Sequence, residues 1–327
     1  MKKILLFFSL IIFSVTVLSG CDDTKQEEDN NKINIVTTIF PEYDWVREIT
    51  KGNENIELSM LLDKGVDLHS FQPTADDIVK VSSCDMFIYV GGESDKWVQD
   101  ALAEAVNKEM VVINLLEILG ENAKEEEIVE GMENGEENEE ENENAKVDVE
   151  YDEHVWLSLK NAEKLCSAIS DGLIQMDPAN EELYISNVSS FVNSISELDK
   201  KYEETVNQAA VKTVLFGDRF PFRYMVDDYG ISYYAAFSGC SAESEASFET
   251  IKFLAEKTDE LGLGAILQIE NADGKIAQTI IDTTAEKNQK VLTLNSMQAV
   301  TLDDVNAGVT YFSIMESNLE VLKQALN

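Results

Sequence analysis

The chain has 327 residues, 44% of them apolar, which allows two ordinary domains with buried cores. Its formal charge is -38, from 63 acidic and 25 basic side chains. This balance excludes sequence-independent binding to nucleic acid, because phosphates are bound by Lys and Arg. An acidic surface favours solubility and the attraction of cations.

The N-terminus has the pattern of a secretory signal. Two lysines precede an apolar run over residues 4–17, and the tetrapeptide Leu-Ser-Gly-Cys ends at Cys21. That tetrapeptide resembles the lipobox of bacterial lipoproteins, which implies a signal peptide over 1–20 and a lipid on Cys21. The run is shorter than the roughly 20 residues of a spanning helix, although an uncleaved anchor is the alternative. We therefore expect an extracytoplasmic protein, held at the cell membrane by its lipid and by a polar tether over 21–32.

Strands and helices alternate through the first half of the mature chain. The Ile- and Val-rich runs predict four strands, and Thr74 with an acidic residue three positions on predicts a helix N-cap. Alternation of this kind predicts a mostly parallel sheet, with ligands bound beyond the carboxyl ends of its strands. His69 follows the second strand in such a position. The first lobe is predicted over 33–178, with strands at Ile33–Thr38, Ile56–Leu62, Met86–Val90 and Met110–Asn114.

Residues 121–150 interrupt this pattern with a run rich in Glu and Asn and nearly without aromatic side chains. Such a composition cannot bury itself and is typical of disorder. One interpretation is a solvated surface loop. The other is a weak collector of cations beside a binding site, because carboxylates attract hard cations and bind zinc with lower specificity.

The longest periodic segment covers residues 179–211, where apolar side chains recur at spacings of three and four without Gly or Pro. It predicts a helix of roughly 45 Å that links two lobes. The second lobe, 212–327, repeats the alternation and closes with a helix. The fold class is therefore α/β: two lobes, each a mostly parallel sheet flanked by helices, joined by one long rigid helix. Strands of the second lobe are predicted at Thr213–Phe216, Ile231–Ala236, Ala265–Ile269 and Val291–Leu294, before a helix over Val305–Leu326.

Only two histidines occur, His69 and His154, each at a junction between polar and aromatic residues. Two neutral imidazoles are good ligands for zinc, manganese or iron, and zinc usually takes four ligands, so carboxylates must complete the set. Asp218 and Glu270 both follow strands of the second lobe. Each could instead stabilise a helix N-terminus. We predict a metal site in which His69 and His154 meet Asp218 and Glu270 across a crevice between the lobes.

The remaining cysteines, Cys84, Cys166 and Cys240, are too scattered for a disulfide framework or a paired-cysteine metal site. One disulfide among them is possible. Cys240 lies in a polar loop with Glu243 and Glu245, which we expect to border the site without assigning it a ligand.

Two segments resemble the histidine motifs of the zinc and manganese substrate-binding lipoproteins of bacterial ABC importers. They are His69-Ser70-Phe71-Gln72-Pro73-Thr74 and Asp152-Glu153-His154-Val155-Trp156-Leu157-Ser158, and the resemblance runs from about Ile33 to the C-terminus. It implies two α/β lobes, one long helix and a metal in the cleft. Arg219 stands where the family has its third ligand and cannot ligate as a cation, so the neighbouring Asp218 is the substitute. Glu270 matches the fourth ligand.

The resemblance implies a monomeric receptor, not an enzyme, that captures a divalent transition metal. It would deliver the metal to an ABC permease driven by a cytoplasmic ATPase. Two imidazoles with two carboxylates are nearer the manganese type, but the long loop and the Val-Trp-Leu-Ser sequence favour zinc. We expect Zn²⁺, with Mn²⁺ as the alternative. A metal-dependent hydrolase would carry a catalytic motif that this chain lacks, and a surface adhesin would not depend on the histidines.

Overall fold

The computed structural model describes residues 32–133, 150–240 and 245–327. Within these ranges two four-stranded parallel sheets, each flanked by helices, are linked by one long helix, which confirms the predicted fold class. The predicted signal peptide, the lipidation site Cys21, nearly all of the tether, most of the acidic loop and Glu243 lie outside the described residues. No helix in these ranges is both long and apolar enough to cross a membrane.

The first sheet has the strand order β2-β1-β3-β4, and every pairing is parallel. Strands inside a parallel sheet are usually apolar because helices cover both faces, and three of the four side chains of β3 are buried in this way. The edge strand β2 is more polar and carries Glu57 and Ser59. Thr74 caps α2, as the sequence predicts. The elements are β1 (Ile33–Thr37), α1 (Phe40–Ile49), β2 (Ile56–Met60), α2 (Ala75–Ser83), β3 (Met86–Tyr89), α3 (Trp97–Ala103), β4 (Val111–Asn114) and α4 (Leu115–Leu119).

Two long helices follow the first sheet and precede the second along the chain: α5 (Leu159–Met176) and α6 (Glu181–Gln208). With 28 residues, α6 is about 42 Å long. It packs against α1 and α5. Of the apolar stripe that predicted it, Ile195, Leu198, Tyr202 and Val206 are buried, and the members nearer the start of the helix are half-buried.

The second sheet has the order β6-β5-β7-β8 and is also parallel. Strand β5 continues to Phe220, four residues beyond the predicted end, through an irregularity between Phe216 and Arg219. The predicted closing helix is two helices, because Gly308 adopts a φ of 100° that a helix cannot contain. The elements are β5 (Thr213–Phe220), α7 (Arg223–Tyr229), β6 (Ser232–Ser238), α8 (Phe248–Leu261), β7 (Ala265–Ile269), α9 (Lys275–Thr283), β8 (Lys290–Leu294), α10 (Leu302–Asn306) and α11 (Tyr311–Ala325).

A buried contact around Trp156 joins the two lobes. The indole Nε1 donates to the carbonyl of Ser296 at 2.9 Å, and the Tyr311 hydroxyl donates to the carbonyl of Trp156 at 2.8 Å. The Tyr311 N–H in turn donates to Asp44 of α1 at 2.7 Å. Apolar side chains of both lobes belong to one continuous core. The segment that follows His154 is therefore fixed from both sides.

Candidate metal centre

His69 is held by a short turn at the carboxyl end of β2. Asp67 caps the 3-10 turn Leu68–Ser70, and its Oδ1 accepts from the His69 N–H at 3.0 Å. The His69 Nδ1 lies 2.9 Å from Ser94 Oγ and 3.4 Å from Glu153 Oε2. Since neighbours hold Nδ1, the ring turns its Nε2 towards His154.

His154 is fully buried at the start of the turn Val155–Leu157. One carboxylate oxygen of Asp152 accepts both the backbone N–H and the Nδ1–H of His154, at 2.8 and 3.0 Å. A carboxylate on Nδ1 fixes the tautomer of a histidine, orients its ring and makes Nε2 a better metal ligand. Asp152 would in this way prepare His154 to coordinate a metal.

The Nε2 atoms of His69 and His154 lie 3.2 Å apart. Two nitrogens on one tetrahedral zinc, each about 2.05 Å from the metal, are separated by about 3.3 Å. Burial lowers the pKa of His69 to about 3, and the neighbouring His154 adds to the effect, so His69 is a neutral imidazole. For His154 burial opposes protonation, but the Asp152 carboxylate outweighs it and raises the pKa. The pair fits a single shared cation.

Cys240 brings a third donor from the second lobe. Its Sγ and one ring nitrogen from each of His69 and His154 lie within 4.8 Å of one another, the one such group of three within the described ranges. Burial raises the pKa of the Cys240 thiol, so a bound metal would have to displace its proton. A Cβ on Gly239 would lie 2.9 Å from the Phe220 carbonyl and 3.1 Å from the His154 ring, so the loop can approach this closely only with glycine there.

One sequence signal could have found this residue: Cys240 comes just after the carboxyl end of β6, and the same criterion selected Asp218 and Glu270. Cys84, Cys166 and Cys240 are all free thiols, so the possible disulfide among them does not form.

The structure does not bring Asp218 to the histidines. Because β5 continues to Phe220, Asp218 lies inside a strand instead of beyond it. Its carboxylate accepts from the backbone N–H groups of Arg219 and Ile269 at 2.8 and 3.1 Å, at the neighbouring strand β7. At this irregular part of β5 the side chains of two consecutive residues diverge, because Asp218 bonds to β7 whereas Arg219 reaches Asp67.

Glu270 follows β7 as predicted, but its carboxylate is bound to the loop after β8. One oxygen accepts from the Ser296 N–H at 2.6 Å, and the other accepts from the Ser296 hydroxyl and the Gln298 N–H at 2.8 and 3.1 Å. Glu270 is thus outside the group that His69, His154 and Cys240 form.

Arg219, which occupies the position of the family's third ligand, crosses to the first lobe. Its guanidinium donates to Asp67 Oδ2 at 2.7 Å. Asp67 is the residue that caps the His69 turn, so it connects the second lobe to the loop that carries a histidine. The sequence did not predict Arg219 as part of the site. It also did not predict the contacts that the histidines make with Asp152, Glu153 and Ser94.

Two α/β lobes on a long helix, with donor atoms from both lobes within 4.8 Å of one another, match the architecture of metal solute-binding proteins. The family model described as ZnuA, zinc-uptake complex component A, periplasmic, matches residues 35–325. The chain belongs to this family, and the family resemblance predicted from the sequence is confirmed.

Several relatives carry zinc in their names. The chain is 31% identical over 328 residues to the zinc-binding lipoprotein AdcA of Streptococcus pneumoniae, covering 99% of this chain and 61% of that protein. It therefore spans about three-fifths of that relative. It is 28% identical over 323 residues to the high-affinity zinc uptake system protein ZnuA of Bacillus subtilis, covering 98% of this chain and 97% of that protein.

Solved structures agree with this fold. The Zn(II)-bound ZnuA-like domain of Streptococcus pneumoniae AdcA superposes with a TM-score of 0.69 at 27% identity, over 90% of this chain and 99% of that one. The metal-dependent lipoprotein YcdH of Bacillus subtilis gives a TM-score of 0.72 at 26% identity, over 90% of this chain and all (100%) of that one.

Proposed function

We propose that this chain is an extracytoplasmic receptor that captures Zn²⁺ and delivers it to an ABC permease, whose cytoplasmic ATPase drives uptake. One observation carries the proposal: the Nε2 atoms of His69 and His154 converge to 3.2 Å, while each Nδ1 is held by the protein. The zinc-binding and zinc-uptake relatives support the choice of metal.

His69, His154 and Cys240 are the first three donors in this proposal. A thiolate favours zinc, whereas manganese prefers carboxylates, carbonyls and water. Glu270 stays a predicted fourth ligand, which would exchange its bonds to the loop after β8 for the metal. Asp218 stays a predicted ligand only if it turns away from Ile269. A manganese receptor remains the alternative if carboxylates and not the thiol complete the site.

The receptor acts as a monomer, attached to the membrane by a lipid on Cys21. Three protein donors, with a carboxylate as the fourth ligand, would close the coordination shell of the metal. A closed shell suits capture, because catalytic zinc keeps a position open for water. In this proposal the chain carries the metal and is not an enzyme.

A competition titration of the metal-free chain tests this function. With a metal-sensitive dye as competitor, we expect one Zn²⁺ per chain at sub-micromolar affinity and weaker binding of Mn²⁺. Loss of an outer-shell partner lowers metal affinity by roughly tenfold or more, and loss of a ligand should lower it at least as much. Cys240→Ser should therefore weaken zinc binding by at least that factor and narrow the preference over Mn²⁺.

Cys84→Ser is the matched control, because Cys84 donates to the Val81 carbonyl and is not in the metal group. If the wild-type chain bound neither metal at sub-micromolar affinity, the receptor function would be rejected. If Cys240→Ser bound zinc as tightly as the wild type, only the thiol would leave the ligand set.

A further inference from the structure

The start of the acidic insertion is packed on the second lobe. We call residues 124–133 the strap. Its Glu133 pairs with Phe237 as a parallel bridge, and the Glu133 N–H donates to the Ala236 carbonyl at 2.9 Å. Strand β6 is an edge of the second sheet, so the strap extends that sheet. Gly131, with a φ of 82°, lies so close to Phe253 that a Cβ would be 2.0 Å from the ring.

Charged side chains attach the strap to α7 and β6. Lys124 forms an ion pair with Asp227. Glu127 lies 3.2 Å from Arg223 Nε and accepts from the Tyr233 hydroxyl at 3.2 Å. These contacts are specific, which distinguishes the strap from a freely solvated acidic loop.

The other edge of the strap pairs with the segment that leads into His154. Glu125 and Tyr151 form an antiparallel bridge, the Glu126 N–H donates to the Glu150 carbonyl at 2.9 Å, and the Asp152 N–H donates to the Lys124 carbonyl at 2.8 Å. The strap therefore lies between the His154 segment and the second lobe.

Glu126 connects these two sides directly. Its backbone is bonded to the His154 segment, and its carboxylate Oε1 accepts from the Cys240 N–H at 3.3 Å. The Cys240 loop comes after the last residue of β6, where the sheet no longer holds it. A half-buried carboxylate on that N–H is therefore a restraint on where the thiol stands relative to His154.

We infer that Glu126 and the strap position the Cys240 thiol beside the two histidines, so that the first part of the acidic insertion is a built part of the metal site. This inference rests on the proposed function, because it takes Cys240 as a donor. It differs from both interpretations of the insertion drawn from composition, the solvated loop and the cation collector. Glu126 is a positioning residue: it acts on the metal through Cys240.

Cobalt substitution gives a readout that a purely structural role would not change. Co²⁺ bound by a thiolate shows a sulfur-to-metal charge-transfer absorption, so the band reports contact with Cys240. We expect Glu126→Ala to lose most of this band and to weaken zinc binding about tenfold. Glu126→Gln keeps a side-chain oxygen that can accept from the Cys240 N–H, so it should retain the band. Glu130→Ala, an exposed glutamate on the same strap, is the matched control.

The outcomes separate the two proposals. A wild-type band that Glu126→Ala leaves at full strength, with unchanged zinc affinity, would reject the positioning role alone. A wild-type chain that binds Co²⁺ without any such band would reject Cys240 as a ligand, and the positioning role with it. Circular dichroism of each variant separates loss of the fold from loss of the restraint.

Discussion

Asp152 offers the most direct test of how the site is prepared for metal. Asp152 is 2% exposed, and one oxygen of its carboxylate accepts two hydrogen bonds from His154, at 2.8 and 3.0 Å. Asp152→Asn keeps the shape and removes the negative charge. The amide oxygen can still accept from the imidazole Nδ1–H, but without the carboxylate charge Nε2 becomes a weaker donor to a metal.

The magnitude follows from comparable metal sites. Loss of an outer-shell partner of a histidine ligand typically lowers metal affinity about 10- to 100-fold, which is about 1.4 to 2.7 kcal/mol. We expect Asp152→Asn to fall inside this range, because the carboxylate is buried, where solvent cannot replace it. The effect should appear in zinc affinity and leave the stoichiometry at one metal per chain.

The assay is a competition titration with Zn²⁺ at fixed pH, beside circular dichroism to verify the fold. Asp282→Asn is the control. Asp282 is exposed on α9, away from the histidines in the chain, and accepts a hydrogen bond from Gln278. A folded Asp152→Asn chain that binds zinc as tightly as the wild type would refute the orienting role of this carboxylate.

Two further predictions concern stability. Burial raises the pKa of Asp95 from 3.8 to about 7, so its contribution to stability is present below the unfolded pKa and is lost as pH rises through about 7. Above that pH, Asp95→Asn should therefore be more stable than the wild type by up to about 4 kcal/mol, and in acid the two stabilities should converge. Urea unfolding at several pH values measures this difference, and equal stability at every pH would contradict the prediction. Arg219→Gln and Asp67→Asn should show a coupling of about 1 to 3 kcal/mol in a double-mutant cycle, whereas additive effects would show that the pair does not join the lobes.

Local patterns determined most of the fold. Alternating strands and helices predicted two parallel sheets, and an uninterrupted stripe of apolar residues predicted α6. Thr74 was predicted to cap a helix, and it caps α2, because a capping box depends on only four consecutive residues. The same reasoning placed His69 beyond the second strand, and the structure brings its Nε2 to 3.2 Å from the Nε2 of His154.

The sequence by itself determined the class of fold, the two imidazoles and the family, because each depends on residues close together in the chain. Only the tertiary structure decided which side chain of the second lobe meets them. The length of β5 turns Asp218 towards Ile269 and Arg219 towards Asp67, while the end of β6 leaves Cys240 facing the histidines. Strand register and its irregularities depend on pairing between distant segments, and a shift of one residue moves a side chain to the opposite face of the sheet.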